Sequence, residues 1–313
     1  VDSFPVKKIS SMKSASIDIG TNSVLLLVAD KLNGGLNVLY ETQELPRLGE
    51  GVDRDKRLSE ESQNRVIKVL KSYKEFLSDH HPELVRETIV TATSAVRDAS
   101  NRDSFLNSVL NETGWKIRLL TGDEEAQVTY RGALSVLDTV TDEMFVVLDI
   151  GGGSTEIAYG MGPELIRGRS LDIGSVRFTE RFFKHSNPDL STVDEVRAEV
   201  RRNLETVAAL KKPFSVVGVA GTVSSIAAVS IGLDHYDANI LNGYSLERSV
   251  IEKYISQFIG LSPKEIGAIN PLFLKGREDV ILAGIIILSE FLSWCGADSL
   301  TVSTGGIRHG MIT

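Results

Sequence analysis

The sequence predicts an α/β protein of two domains, each built on a mixed sheet that opens with an antiparallel three-strand meander. Three observations lead there. A chain of 313 residues corresponds to about two domains at roughly 150 residues each. Strand patterns alternate with helical stripes along the chain, as they do when helices layer onto a sheet. One strand-turn-strand unit also occurs twice. Asp18-Ile19-Gly20-Thr21-Asn22-Ser23 and Asp149-Ile150-Gly151-Gly152-Gly153-Ser154 place Asp, Ile, Gly and a final Ser at the same offsets. Each copy opens a domain-sized half, which reads as duplication rather than as two unrelated turns.

The first meander runs Ser16 to Gly20, Val24 to Asp30 and Leu36 to Glu44, with turn chemistry at Asn33-Gly34-Gly35. Ser59 fits an N-cap, and Val66, Val69, Leu70, Tyr73 and Leu77 behind it form one helical stripe. Glu87 to Thr91 reads as a strand, Arg102 to Leu110 as a helix stopped by Gly114, and Trp115 to Leu120 as a strand. A helix follows from about Asp123 to Leu137. The second meander comprises Met144 to Ile150, Thr155 to Tyr159 and Glu164 to Ser170. Helices fit Val176 to Phe183, Thr192 to Leu210, Leu246 to Phe258 and Arg277 to Trp294. Strands fit Ser215 to Val219 and Leu300 to Ser303, and a short helix closes the chain after Gly305-Gly306.

Composition removes several function classes. Hydrophobic residues at 42% and charged residues at 24% are globular values and exclude a mainly disordered chain. The longest apolar runs, Val24 to Ala29 and Val280 to Leu288, fall far short of the ~20 residues that span a bilayer. No apolar segment follows the lysines of Val1 to Ser14, so no secretory signal is expected. Cys295 is the one cysteine and forms no intrachain disulfide, which fits a reducing cytoplasm. It reads as a small apolar residue on a buried helix. The net charge of −8 argues against nucleic acid as a partner. It still allows a polyanionic ligand met by a local cluster of amides, arginines and metal.

The chemistry is concentrated in the two turns. A tight turn with glycine directs successive backbone N–H groups into one concavity, which suits phosphate. Gly20, Thr21, Asn22 and Ser23 in one turn, and Gly151, Gly152, Gly153, Ser154 and Thr155 in the other, are the candidate phosphate ligands. Asp18 and Asp149 would repel phosphate directly, so a divalent cation or a reacting water is their natural partner. Ser94 can cap the helix after Thr91-Ala92-Thr93, and Arg97 reads either as a phosphate clamp or as an exposed helix charge. Glu124 and Glu125 suit the positive end of their helix. Glu156 is harder to explain, because a carboxylate beside a phosphate cradle is costly unless metal or water needs it. The chain contains no GxxxxGK[ST], no GxGxxG opening a helix, no HExxH and no GxSxG. His80, His81, His185, His235 and His309 have no ligand-spaced partners and read as structural or surface residues.

Nine ordered motifs resemble those of the exopolyphosphatase / guanosine pentaphosphate phosphohydrolase family, within the actin-like, sugar-kinase and Hsp70 ATPase superfamily. They are SIDIGTNSVLLLVAD from Ser16, RLGEGVD from Arg47, TATSAVRDA from Thr91, TGDEEAQVTYRGA from Thr121 and VLDIGGGSTEI from Val147. DIGSVRFTE from Asp172, GVAGT from Gly218, GREDVILAG from Gly276 and STGGIRHGMI from Ser303 complete the series.

The resemblance implies two actin-like (ribonuclease H-like) domains with the active site between them. They would span 14–131 and 132–304, with 305–313 able to pack back on the first. It implies hydrolysis of a terminal phosphoanhydride of polyphosphate, or of guanosine pentaphosphate (pppGpp), with Mg²⁺. Glu125 corresponds to the general base, Arg97 to a phosphate-contacting arginine, and Asp149 and Glu156, with Asp18, to the metal and phosphate carboxylates. Gly221 and Thr222 of GVAGT join the phosphate-binding set. A homodimer, with no membrane and no nucleic-acid partner, is what the resemblance suggests. Three departures stand out: a longer loop around Asp138 to Asp142, His309 where an acid is usual, and no helical region after the second domain. The last argues against processive handling of very long polyphosphate. A nucleotide-dependent kinase or ATPase of the superfamily, and a non-catalytic polyphosphate or alarmone sensor, are the competing readings.

Overall fold

In the computed structural model, which describes residues 12–32, 35–137, 143–183 and 187–313, both halves repeat one strand order. The first half contains β1 (Met12–Ile19), β2 (Val24–Leu32), β3 (Gly35–Glu44), α1 (Val52–Asp55), α2 (Glu60–His80), β4 (Ile89–Ala92), α3 (Ser94–Asp98), α4 (Arg102–Thr113), β5 (Ile117–Leu119) and α5 (Gly122–Leu134). The second contains β6 (Met144–Ile150), β7 (Thr155–Met161), β8 (Glu164–Leu171), α6 (Ser175–Phe182), α7 (Leu190–Leu204), β9 (Ser215–Val219), α8 (Ala220–Ile231), α9 (Ala238–Leu241), β10 (Ser245–Glu247), α10 (Arg248–Phe258), α11 (Pro263–Ile269), α12 (Ile281–Cys295), β11 (Ser299–Val302) and α13 (Ile307–Gly310).

The sheets run β3-β2-β1-β4-β5 and β10-β11-β9-β6-β7-β8. Without β10 they superimpose strand for strand: an antiparallel meander, then two further strands added parallel to its first member. Local chemistry accounts for the borders. Ser59 accepts the Ser62 N–H at the head of α2, Thr121 and Glu124 form a capping box on α5, and Gly114 ends α4 at φ 77°, a backbone state glycine reaches without steric cost.

Several borders differ from the sequence reading. The segment from Leu246 is first an edge strand, β10, and becomes helical only at Arg248. Helix α7 starts earlier, capped by Asp189, and ends at Leu204 rather than Leu210. Helix α8 starts at Ala220, directly after β9, where the sequence reading places no helix. The turn at Asn33-Gly34, the loop at 138–142 and His185 lie outside the described residues.

Registers decide what faces the interdomain space. Asp149 pairs with Glu156 across β6 and β7, and Glu156 with Ser170 across β7 and β8, so the three side chains form one row on one face. Val147 and Ala158 share that face by the two-residue period and pack against Ala126, Tyr130 and Ala133 of α5. Helix α5 thus lays its apolar stripe on the second sheet, so a division at residue 131 falls within a helix that packs there. On the first sheet, Leu27 and Ala29 of β2 meet Ile312. Helices α5 and α13 meet through glycine: a methyl at Gly132 would stand 2.0 Å from the Gly306 carbonyl oxygen, and one at Gly310 1.9 Å from that of Val128. The outer faces carry the large cores, α2 and α4 on the first sheet and an almost wholly buried α12 on the second.

Candidate active site

The two turns have the same internal bond. Gly20 N–H donates to Ser23 O at 2.8 Å, and Gly151 N–H to Ser154 O at 3.0 Å. They also touch across the domains. A methyl at Gly153 would stand 2.5 Å from Ser94 Oγ and 3.0 Å from Thr21 Oγ1, and one at Gly152 2.8 Å from Thr21 Cβ. Glycine is therefore needed for this close approach. The turns form the floor of a cleft of about 410 Å³.

Outside elements hold each turn in place. The Thr21 and Asn22 carbonyls accept the N–H groups of Gly49 and Arg47, so the RLGEGVD segment grips the first turn. The Gly152 carbonyl accepts from the N–H groups of Val176 and Arg177. Arg177 Nε donates to the Gly153 carbonyl at 2.6 Å, while its two other nitrogens pair with Asp53 at 2.5 Å and Asp98 at 2.6 Å in the first domain. Asp53 also takes Arg181 in a two-bond pairing. One buried guanidinium thus ties the second turn to the opposite domain.

Gly20, Thr21, Asn22, Ser23, Ser94, Gly151, Gly152, Gly153, Ser154, Gly221 and Thr222 all line the cleft, with Asp18, Glu125 and Asp149. Ser94 Oγ and Asn22 Nδ2 are buried without a hydrogen-bond partner, an arrangement suited to a ligand oxygen. At the opening of α8, Ala220 has φ 69°, a left-handed conformation rare for a residue with a side chain. Three residues are placed differently from their expected roles. Thr155 turns its hydroxyl to the Ile173 carbonyl at 2.7 Å and away from the cleft. Arg97 pairs with Glu125 at 2.9 Å and donates to the Leu120 carbonyl, but it borders a separate cavity behind the carboxylates. Glu156 is buried behind the cleft surface and takes the Ser170 hydroxyl at 2.6 Å.

Helix α5 presents Glu125 and Thr129, one turn apart, to the carboxylate row, and Thr129 Oγ1 donates to Asp149 at 3.2 Å. Burial dominates the electrostatics. It pushes Glu125 up to about 8, with Asp149 and Asp18 adding to the effect against the opposing pull of Arg97. It lifts Asp18 to about 7, helped by Asp149, and Asp149 to about 6 despite the Thr129 bond. Glu156 rises well above the ordinary carboxylate range through burial and the nearby Glu125 and Asp149. Such a cluster is costly to the empty protein and favourable to a bound cation.

That cost carries a sign. The folded chain holds these protons at pH values where an unfolded Glu, with a pKa near 4.3, has lost them. Between there and the raised values, the folded state binds more protons, and this contribution to stability falls as pH rises. Glu156→Gln is therefore expected to unfold at higher urea than the parent, by a margin that widens from pH 5 to pH 8. A margin independent of pH would show that Glu156 keeps an ordinary pKa.

Two arginines also line the cleft, Arg277 and Arg308. Arg277 packs its guanidinium against Gly221, where a methyl would come within 2.0 Å of Nη1, and donates to Gln43 Oε1 at 3.1 Å. Burial draws it down to about 10, and it makes no ion pair among the described residues. Arg308 pairs with Glu41 at 2.7 Å, and its Nε is buried without a partner. Leu45, Tyr236, Leu272 and Phe273 line the cleft as well. None of the described histidines does. Among the described residues, no three His, Cys, Asp or Glu side chains form a ready metal cage, and no helix is long and apolar enough to cross a membrane.

Comparison with known proteins agrees with this geometry. A family model described as the Ppx/GppA phosphatase family matches residues 27–313. The bifunctional 3-dehydroquinate synthase/phosphatase of Fusobacterium nucleatum is 37% identical over 308 residues, covering 95% of this chain and 46% of that protein. The chain thus spans about half the length of this relative. Exopolyphosphatase 2 of Mycobacterium tuberculosis is 36% identical over 313 residues, covering 95% of this chain and 96% of that one. Among solved structures, the Aquifex aeolicus member of the Ppx/GppA family superimposes with a TM-score of 0.80 at 33% identity over 96% of both chains. An exopolyphosphatase-like protein reaches 0.86 at 28% identity, covering 96% of this chain and 97% of that one. The architecture is the two-domain actin-like fold of these structures.

Proposed function

The chain belongs to the Ppx/GppA phosphatase family, and from that membership we propose that it removes the terminal phosphoryl group of inorganic polyphosphate as orthophosphate. The observation that carries the proposal is the pair of equivalent glycine turns meeting at the cleft floor beside Glu125, Asp149 and Asp18. Turn amides, Ser94 and Asn22 grip the phosphates, and Arg277 offers a cation that makes no ion pair among the described residues. Glu125 accepts the proton of a water that attacks the terminal phosphorus in line. As the new O–P bond forms, the bridging P–O bond breaks and its electron pair leaves with the shortened chain. A pKa near the working pH suits a base to that step, and Arg97 holds the carboxylate in place at 2.9 Å.

The donor set fits magnesium. Asp18 and Asp149, which line the cleft with Glu156 behind them, are hard oxygen ligands, and Mg²⁺ takes one or two carboxylates with waters and substrate phosphates rather than a full protein cage. When bound there, the ion would supply positive charge to the phosphate oxygens. Asp149→Asn is expected to raise the magnesium concentration for half-maximal activity at least several-fold. An unchanged metal titration removes Asp149 from the metal site.

pppGpp ends in the same phosphoanhydride, and the apolar wall of Tyr236, Leu272 and Phe273 favours it as a second reading. One experiment separates the candidates: phosphate release from short polyphosphate, long polyphosphate, pppGpp and ATP, the last with and without a sugar or acyl acceptor. Polyphosphate as the preferred substrate supports the proposal. Acceptor-dependent turnover of ATP would make the protein a kinase, and tight binding without turnover a sensor.

A further inference from the structure

Strand β3 brings the two arginines of the cleft together. Arg308 Nη2 pairs with Glu41 at 2.7 Å, and Arg277 Nη2 donates to Gln43 Oε1 at 3.1 Å. Glu41 and Gln43 are two residues apart on one face of β3, so their Cα atoms stand about 7 Å apart. The guanidiniums reach that face from different domains. Arg308 comes from α13, whose Arg308 carbonyl accepts the Ser16 hydroxyl of β1 at 2.6 Å, and Arg277 from beside Gly221. Register sets this pair next to the catalytic carboxylates. Asp18 pairs with Leu25 and Leu25 with Gln43, one step along from the row Ser16, Leu27 and Glu41. The equivalent row of the second sheet is Asp149, Glu156 and Ser170. The duplicated halves therefore give the cleft two unlike sides: carboxylates with Glu125 on the second sheet, and an arginine pair at the edge of the first.

Arg308 has bonding capacity left over. Its Nε is buried without a partner, as are Asn22 Nδ2 and Ser94 Oγ at the turns, whereas buried donors are ordinarily satisfied. Its ion pair is shielded as well, with side chains 13% and 20% exposed, where desolvation offsets much of what the attraction contributes to folding. In-line displacement says what this side receives, since the attacking water and the leaving chain lie on opposite sides of the phosphorus. With the water beside Glu125, the leaving chain lies toward the edge of the first sheet. We propose that Arg308, balanced by Glu41 and flanked by Arg277, binds the phosphoryl unit next to the one removed, and that Glu41 limits how tightly it does so. This rests on the phosphatase reading above. Two guanidiniums and one carboxylate leave one net positive charge. That matches the single negative charge of an internal phosphoryl unit better than the double charge of orthophosphate. Glu41 competes for the same guanidinium, so the shortened chain is released rather than retained. Polyphosphate and pppGpp both present such a unit.

The test titrates the full chain with diimidotriphosphate, a tripolyphosphate analogue in which nitrogen replaces both bridging oxygens and prevents hydrolysis. Turnover of tripolyphosphate and of pppGpp is measured in parallel. Arg308→Gln is expected to bind the analogue at least ten-fold more weakly, and Glu41→Gln at least three-fold more tightly, with KM moving in the same two directions. Both variants break one salt bridge, so opposite shifts are a result that a purely structural brace does not give. Orthophosphate affinity should change less than that of the analogue in each. An equal change for orthophosphate, unchanged analogue binding in Arg308→Gln, or unchanged or weaker binding in Glu41→Gln overturns the assignment. The substrate whose KM moves identifies the source of the leaving unit. Opposite shifts in a protein that hydrolyses neither substrate would uphold the site and overturn the function reading, and turnover without the shifts would do the reverse.

Discussion

Glu125→Gln is expected to lower kcat about 10²- to 10⁴-fold, equivalent to about 2.7–5.5 kcal/mol of barrier, with the fold unchanged. The substitution is close to isosteric, and the glutamine oxygen can still accept from Arg97 Nη1, which holds Glu125 Oε2 at 2.9 Å. What disappears is the ability to take a proton. The same change removes a charge from a residue only 4% exposed, so the variant should be more stable than the parent at pH 8, where burial has raised the cost of ionising Glu125. Lost activity with gained stability is the pattern of a group kept for chemistry rather than for folding. Turnover on tripolyphosphate and urea unfolding at pH 8 check both halves. A variant within three-fold of parental turnover would remove Glu125 from the role of base.

Legibility in the sequence followed the range of the interactions. The duplicated turns were visible because an i to i+3 backbone bond needs a glycine and two flanking strands, all within a dozen residues. The Ser59 cap and the Gly114 stop were visible for the same reason. Helix α8 was not, since Gly221-Thr222-Val223-Ser224-Ser225-Ile226-Ala227-Ala228 has small or apolar residues on every side and no polar face to show a period of 3.6. The period of Leu246 continues smoothly into α10 and predicts a helix, whereas pairing with Leu300 makes it a strand. The candidate site divides in the same way. The turn residues follow from local chemistry, but the position of Arg97 behind Glu125 depends on how α5 crosses two sheets. Its place next to Ser154 predicts Thr155 as a phosphate ligand, yet strand alternation turns its hydroxyl to the Ile173 carbonyl. Arg177 is not legible in the sequence, because its partners lie 124 and 79 residues away and nothing within its own motif distinguishes it from a helix-surface arginine.

Arg177→Met is therefore the most informative structural test. The arginine is 6% exposed and satisfies the Gly153 carbonyl, Asp53 and Asp98 together. Methionine fills much of the volume and supplies none of the donors. Removing one partner of a buried pair leaves the other charge uncompensated, which costs about 3 kcal/mol; the cost is not larger because Asp53 keeps Arg181 at 2.7 and 2.8 Å. The second glycine turn would lose its tie to the opposite domain, so KM for tripolyphosphate should rise along with the loss of stability. The dependence on acid gives an independent check. Asp53 is held down to about 2, by the Arg181 bond first and by Arg177 in addition, against burial. Its contribution is complete above the ordinary aspartate pKa near 3.9 and is lost as pH falls through about 2. Weakening the clamp raises that lower limit, so Arg177→Met should begin to unfold at higher pH than the parent. Adding Asp98→Asn removes the carboxylate left unpaired and should restore part of the stability without restoring KM. If the single variant matches the parent in urea midpoint, acid sensitivity and KM alike, the guanidinium does not hold the two domains around the phosphate turns.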